Sequence, residues 1–306
     1  MLASPAFAGK LAIVIDDFGY RPSQENQILA LSPNISVAVL PNAPHAREMA
    51  VKAHNQGHEV LIHLPMAPLS KQPLEKDTLR PEMSSSEIER IVRDAVNKVP
   101  HAVGLNNHMG SAMTSNLFGM QKVMQALEQY NLYFLDSMTI GNSQAMRAAN
   151  GTRVKVIKRR VFLDDSQNEA DIRTQFNRAV QVARHTGSAI AIGHPHPSTV
   201  RVLQQMVSNL PADITLVRPS SLLNETYTDT STPVKPATPP QSKPPKTPPR
   251  NPFRGVQLCK PTQPIEPVYV TTYFNVLIES IGAVKNSAIT YLQQQWPGTA
   301  EHKSTE

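Results

Sequence analysis

From Lys10 to about Leu223, short apolar runs alternate with amphipathic helical patterns, and few folds accept such a repeat. The runs are Leu11–Ile15, Ile35–Leu40, Val60–Ile62, Ala102–Leu105, Leu132–Leu135, Val154–Ile157, Ala189–Ile192 and Ile214–Val217. Continuous apolarity, rather than alternation, is what a parallel strand buried on both faces requires. Between them, Ser84–Val99 reads as a helix opened by a Ser84/Glu87 capping box, with Ile88, Ile91, Val92, Ala95 and Val96 on one face. Asn116–Tyr130 and Ala170–Thr186 follow the same pattern, and Gly187 stops the latter. Seven or eight such units predict an α/β fold, a distorted seven- or eight-stranded (β/α) barrel over residues 9–224. A doubly wound open sheet is the alternative. The first strand–turn lacks a glycine-rich phosphate fingerprint, which argues against a dinucleotide fold.

The composition changes after Asn224. The segment 225–267 holds nearly half of the chain's 27 prolines and is expected to be an extended linker. Residues 268–306 regain apolar residues at helical spacing. They read either as an amphipathic helix folding back on the barrel or as a tethered element that docks on an envelope protein partner or a membrane surface. At the other end, residues 1–8 close with Ala6-Phe7-Ala8, the small-x-small form of a signal-peptidase site, so a periplasmic or secreted chain beginning at Gly9 is expected. No apolar run is long enough to be a transmembrane segment. The net charge of +6 suits anionic surfaces, but no basic helix with groove-reading spacing points to nucleic acid. One cysteine, Cys259, cannot form a disulfide within the chain, and it lies outside the core pattern.

The polar residues of interest sit directly after predicted strands. Asp16 and Asp17 follow the first, His63 the third, Asn106, Asn107 and His108 the fourth, Asp136 the fifth, and His194 and His196 the seventh. In a parallel array all strand C-termini face one mouth, so these side chains converge. Two carboxylates and several imidazoles in one cleft need a compensating cation or proton network, and this is the residue-level argument for a metal site. Simpler roles stand beside it. Asp16-Asp17 could cap the helix starting near Pro22, His63 could be a hydrogen-bonded core histidine, Asp136 could cap a loop, and His194-Pro195-His196-Pro197 could merely stiffen one. His45, His54, His58 and His101 are read as surface residues.

Several of these strings are specific. Leu11-Ala-Ile-Val-Ile-Asp-Asp-Phe-Gly19 resembles the Thr-Phe-Asp-Asp-Gly motif of polysaccharide deacetylases, and Ile192-Gly-His194 resembles their late Leu-x-His motif. Together with His63-Leu-Pro-Met66 and Asn106-Asn-His-Met-Gly-Ser111, they resemble the divergent branch of that family, found in bacterial envelopes, over residues 10–222. The resemblance implies that Asp16 is the catalytic base, that Asp17 and His63 bind a divalent metal, usually zinc, and that His194 is the general acid. The family's His-Ser-x-x-His motif has its second histidine replaced by Ala67, and its Arg-x-Pro motif has no counterpart where Asn106-Asn107 stand. His108 is then the expected third ligand, with Asn107, Asp136 and His196 as substrate-binding candidates.

The resemblance implies an exported, metal-dependent hydrolase that removes N-acetyl groups from a cell-wall glycan such as peptidoglycan. The rival expectation is an inactive glycan-binding or scaffold protein using the same cleft. A phosphoester or peptide hydrolase on the same metal is a third.

Overall fold

A computed structural model describes residues 8–225. The expectations for the signal remnant, the proline-rich linker and the C-terminal segment fall outside the described residues.

The chain begins with β1 (Gly9–Phe18), α1 (Pro22–Leu29), β2 (Ile35–Val39), α2 (Ala46–Asn55) and β3 (Val60–Met66). After a long excursion come α3 (Ser85–Lys98), β4 (Ala102–Met109), the single turn α4 (Ser111–Thr114), α5 (Leu117–Glu128) and β5 (Tyr133–Asp136). Then follow α6 (Ala145–Ala148), β6 (Val156–Lys158), β7 (Val161–Phe162), α7 (Glu169–Thr186), β8 (Ser188–Gly193), α8 (Pro197–Ser208), β9 (Ile214–Val217) and a 3-10 turn at Pro219–Leu222. Each expected apolar run forms a strand.

Every pairing is parallel, in the order β6-β5-β4-β3-β2-β1-β8-β7, with β9 added against the start of β1. The two end strands are joined by Arg159-Arg160 alone. The Arg159 N–H donates to Asp136 O on β5 (2.9 Å), and the Arg160 N–H donates to Ile190 O on β8 (2.8 Å). One continuous stretch, Val156–Phe162, therefore changes partner midway and closes the sheet into a distorted (β/α) barrel. That closure excludes the open doubly wound sheet. The sequence pattern saw only the first half of this stretch, because two residues of β7 are too few for a periodic signal.

Alternate strand residues divide the core in two. Leu11, Ile13, Ile15, Val37, Ile62 and Phe134 pack against Ile88, Val92, Met120 and Phe176 of the helices. Ala12, Val14, Ala38, Leu61, Leu135 and Ile190 fill the barrel interior. Helix starts follow the sequence signals: Ser84 and Glu87 form a reciprocal capping box on α3, and Asn116 accepts from the Gly119 N–H on α5. Gly187, at φ +84°, turns α7 directly into β8. His58 corrects the surface assignment: it is 4% exposed, with Nδ1 2.8 Å from Ile35 O and Nε2 3.1 Å from Leu29 O. Those two carbonyls lie at the ends of neighbouring elements, so His58 ties α1 to β2, a role invisible in a local pattern. Among the described residues no helix is long and apolar enough to cross a membrane.

Candidate metal-binding active site

Strand parity alone would send Asp16 and Asp17 to opposite faces of the sheet. Asp16 continues the interior parity of Ala12 and Val14. Asp17 should point toward the helices. Instead, the register with β2 shifts between Ile15 and Phe18, and Asp17 takes φ +59°. This local bulge swings Asp17 into the mouth beside its neighbour. Neither carboxylate caps α1. Its first turn is held by Glu25, whose Oε1 accepts from the N–H groups of Gly19 (2.9 Å), Tyr20 (3.0 Å) and Arg21 (2.6 Å).

Asp17, His63 and His108 form a compact group. Asp17 Oδ1 lies 3.3 Å from His63 Nε2 and 3.2 Å from His108 Nδ1, and those two nitrogens are 3.0 Å apart. Tetrahedral zinc with bonds of about 2.0–2.1 Å separates its donor atoms by about 3.3 Å, so this near-equilateral triangle matches the chemistry of such an ion. Asp17 Oδ1 is also buried without a hydrogen-bond partner, a cost that a cation would remove. The residues present fit a zinc-type ion.

Hydrogen bonds outside the triangle set its tautomers. Asn106, fully buried, donates through Nδ2 to Asp16 Oδ1 at 2.8 Å. Its Oδ1 must then accept from His63 Nδ1, 2.8 Å away, which leaves the Nε2 lone pair facing Asp17. His108 Nε2 lies 3.4 Å from Glu75 Oε1, giving the second imidazole a carboxylate backing. Glu75 comes from the loop after β3.

Asp16 is 2% exposed. Burial raises its pKa above the ordinary carboxylate value, outweighing the fields of His63 and His194 and the Asn106 hydrogen bond. Burial pushes Asp17 the same way, but the His108 and His63 imidazoles beside it override burial and hold this carboxyl well below the usual range. Adjacent aspartates are thus driven apart in proton affinity, one toward a base and one toward a permanent anion.

His194 stands across the cleft, its Nε2 4.0 Å from Asp17 Oδ2. Asp164 fixes it: Oδ1 is 3.0 Å from His194 Nδ1, and Oδ2 accepts from the His194 backbone N–H and Thr199 Oγ1, each at 2.7 Å. Burial disfavours the imidazolium, but Asp164, aided by Asp16 and Asp17, carries the pKa up to about 9. Asp164, His194 and His196 also bring donor atoms within 4.8 Å of one another. Three hydrogen bonds already occupy Asp164, so this second group is an aspartate–histidine pair rather than a cation cage.

His196 lines the same cleft, about 190 Å³ in volume, and its Nδ1 lies 3.2 Å from Arg21 Nη1. Asn107 and Asp136 are not brought to it. They are 1% and 2% exposed, and their side chains fasten the loop after β5. Asn107 Oδ1 accepts from the Ser137 N–H (2.9 Å), and Asp136 Oδ1 accepts from the Met138 N–H (2.8 Å). Ala67 has a backbone role, its carbonyl accepting from the N–H groups of Ala112 and Met113 at the start of α4. The sequence pattern missed Asp164 and Glu75. Asp164 had a signal, an Asp pair following the apolar Val161–Leu163, whereas Glu75 lies in an aperiodic loop with none.

A (β/α) barrel with two imidazoles and a carboxylate grouped at its C-terminal mouth, flanked by Asp16 and His194, defines the class. The chain belongs to the family described as divergent polysaccharide deacetylase, which matches residues 13–223. It is 75% identical over 297 residues to the uncharacterized protein YibQ of Escherichia coli (strain K12), covering 97% of this chain and 90% of that one. An uncharacterized protein of Haemophilus influenzae (strain ATCC 51907 / DSM 11121 / KW20 / Rd) is 48% identical over 208 residues, covering 68% of this chain and 74% of its own length. The crystal structure of the uncharacterized protein ATU2773 from Agrobacterium tumefaciens C58 shares the fold, with a TM-score of 0.67 at 20% identity, covering 72% of this chain and 92% of that chain.

Proposed function

We propose that the protein is an exported, zinc-dependent hydrolase that removes N-acetyl groups from a cell-wall glycan. The observation carrying this reading is the donor triangle of Asp17, His63 and His108, with edges of 3.0–3.3 Å, placed between Asp16 and His194. A zinc ion held there supplies a Lewis acid for an amide carbonyl and lowers the pKa of water. Asp16 keeps Oδ2 free of the Asn106 bond, on the His63 side, and accepts the proton of the attacking water. His194, protonated through the neutral range and aimed by Asp164, donates a proton to the leaving amine. Family membership supports the glycan, and Ala6-Phe7-Ala8 supports export.

The test combines elemental analysis of protein purified without a metal column and acetate release from N-acetylated cell-wall oligosaccharides. About one zinc per chain with acetate release is expected. Binding of the oligosaccharides without any acetate release, unchanged by Asp16→Asn, would replace the hydrolase with a glycan-binding protein.

A further inference from the structure

A second cavity, about 470 Å³, opens beside the cleft and is lined by Ser137, Arg159, Arg160, Phe162, Asp165 and Arg178 among others. It adjoins the active site on two walls. Ser137 Oγ lies 3.4 Å from Asn106 Nδ2, the amide that holds Asp16. The Phe162 ring packs edge-on against His194, with centroids 5.3 Å apart. A group seated here is a neighbour of whatever Asp16 and His194 act upon.

Three arginines, Arg159, Arg160 and Arg178, line this space against one acidic residue, Asp165. Among the described residues none of the three has a carboxylate within salt-bridge distance. Arg159 is fixed rather than free. Its Nε donates to Ser137 O (2.6 Å), its Nη2 to Met138 O (2.8 Å), and the guanidinium lies 5.0 Å from the centre of the Phe162 ring. Two of five N–H donors are spent on carbonyls, and the rest are held in place by them. A pre-set guanidinium without a carboxylate partner, flanked by two more, is how proteins receive a carboxylate or phosphate.

We infer that this cavity is an anion subsite, and that the ligand of the adjoining cleft is an acidic N-acetylated sugar whose carboxylate or phosphate seats on Arg159, Arg160 and Arg178. The inference rests on reading that cleft as the acetamido site. It assigns the basic balance of this part of the chain to ligand binding rather than to general solubility.

Full-length, zinc-loaded protein is titrated at low salt with N-acetylglucosamine, N-acetylmuramic acid and N-acetylglucosamine 6-phosphate, followed by ligand-observed NMR. At least one acidic sugar should bind about tenfold or more tightly than the neutral one, the scale of a charge-assisted hydrogen bond. Which acid gains identifies the carboxylate or the phosphate as the natural group. The Arg160→Gln/Arg178→Gln double variant should lose that gain while keeping its zinc and its affinity for the neutral sugar. Equal binding of all three probes, binding of none, or an equal loss for neutral and acidic sugars in the variant overturns the subsite. An acidic preference without acetate release sinks the hydrolase and leaves the subsite standing. Acetate release without an acidic preference does the reverse.

Discussion

The two ends of the barrel both bury carboxylates, and they treat them differently. At the N-terminal end, Glu59 Oε1 accepts from Tyr133 Oη (2.8 Å) and from the Ser220 N–H (3.2 Å), so a phenol and a backbone amide satisfy it. The ring of Tyr133 leaves no space for a side chain at Gly104, where a Cβ would stand 2.6 Å from it. At the C-terminal end, Asp17 Oδ1 is buried without a hydrogen bond, and two imidazole nitrogens face it and each other. Buried polar groups normally find partners, so the paired end is built for stability and the unpaired end for a ligand.

The largest expected effect belongs to the unpaired end. Asp17→Asn or His63→Ala should weaken zinc binding by more than about a hundredfold, beyond the 10–100-fold typical of outer-shell changes. Elemental analysis after dialysis checks this, and full zinc retention would break the contrast drawn between the two ends. Asp16→Asn should keep zinc but lower acetate release by about 10²–10⁴-fold, the range for a lost acid–base group. Glu75→Gln should weaken zinc binding by about 10–100-fold through His108, measured by competition with a chelator.

Tyr133→Phe acts at the other end and should leave zinc affinity unchanged. It removes one of the two partners of Glu59 and should cost about 1–3 kcal/mol of unfolding free energy, read from denaturant melts. A change in zinc affinity of the same size as the stability change would show that the ends are coupled.

The smallest effect is a displaced titration. Because the folded pKa of His194 is about 9, above its ordinary 6.5, its proton is retained through neutrality and lost as pH rises through about 9. The stability this charge contributes is complete below 6.5 and disappears over the same rise. In Asp164→Asn the main raising partner is gone, so the His194 midpoint, followed by NMR in zinc-stripped protein, should move to lower pH. An unmoved midpoint would remove Asp164 from the role of orienting His194.

Strand-end position is why Asp16, Asp17, His63, His108 and His194 were legible as site candidates: the parallel repeat sends every strand end to one mouth whatever the details. Asn107 and Asp136 share that position yet are drawn into holding a loop, because strand parity and local hydrogen bonds, not proximity to a strand end, decide where a side chain faces. Asn106 differs from Asn107 by one residue and so by one face of β4, which puts it between Asp16 and His63. Glu75 and Asp164 had weak signals or none, because their partners lie 33 and 30 residues away in the chain.

The sequence by itself determined the repeat, the helix caps and the residue types available at the mouth, since these depend on local periodicity and short-range hydrogen bonds. Only the tertiary structure decided three things. These are the bulge that turns Asp17 beside Asp16, the switch of partner at Arg159-Arg160 that closes the barrel, and the pairing of each histidine with its own carboxylate or amide. All three are long-range, because a strand's register and a buried side chain's hydrogen bonds are set by neighbours that the local pattern cannot name.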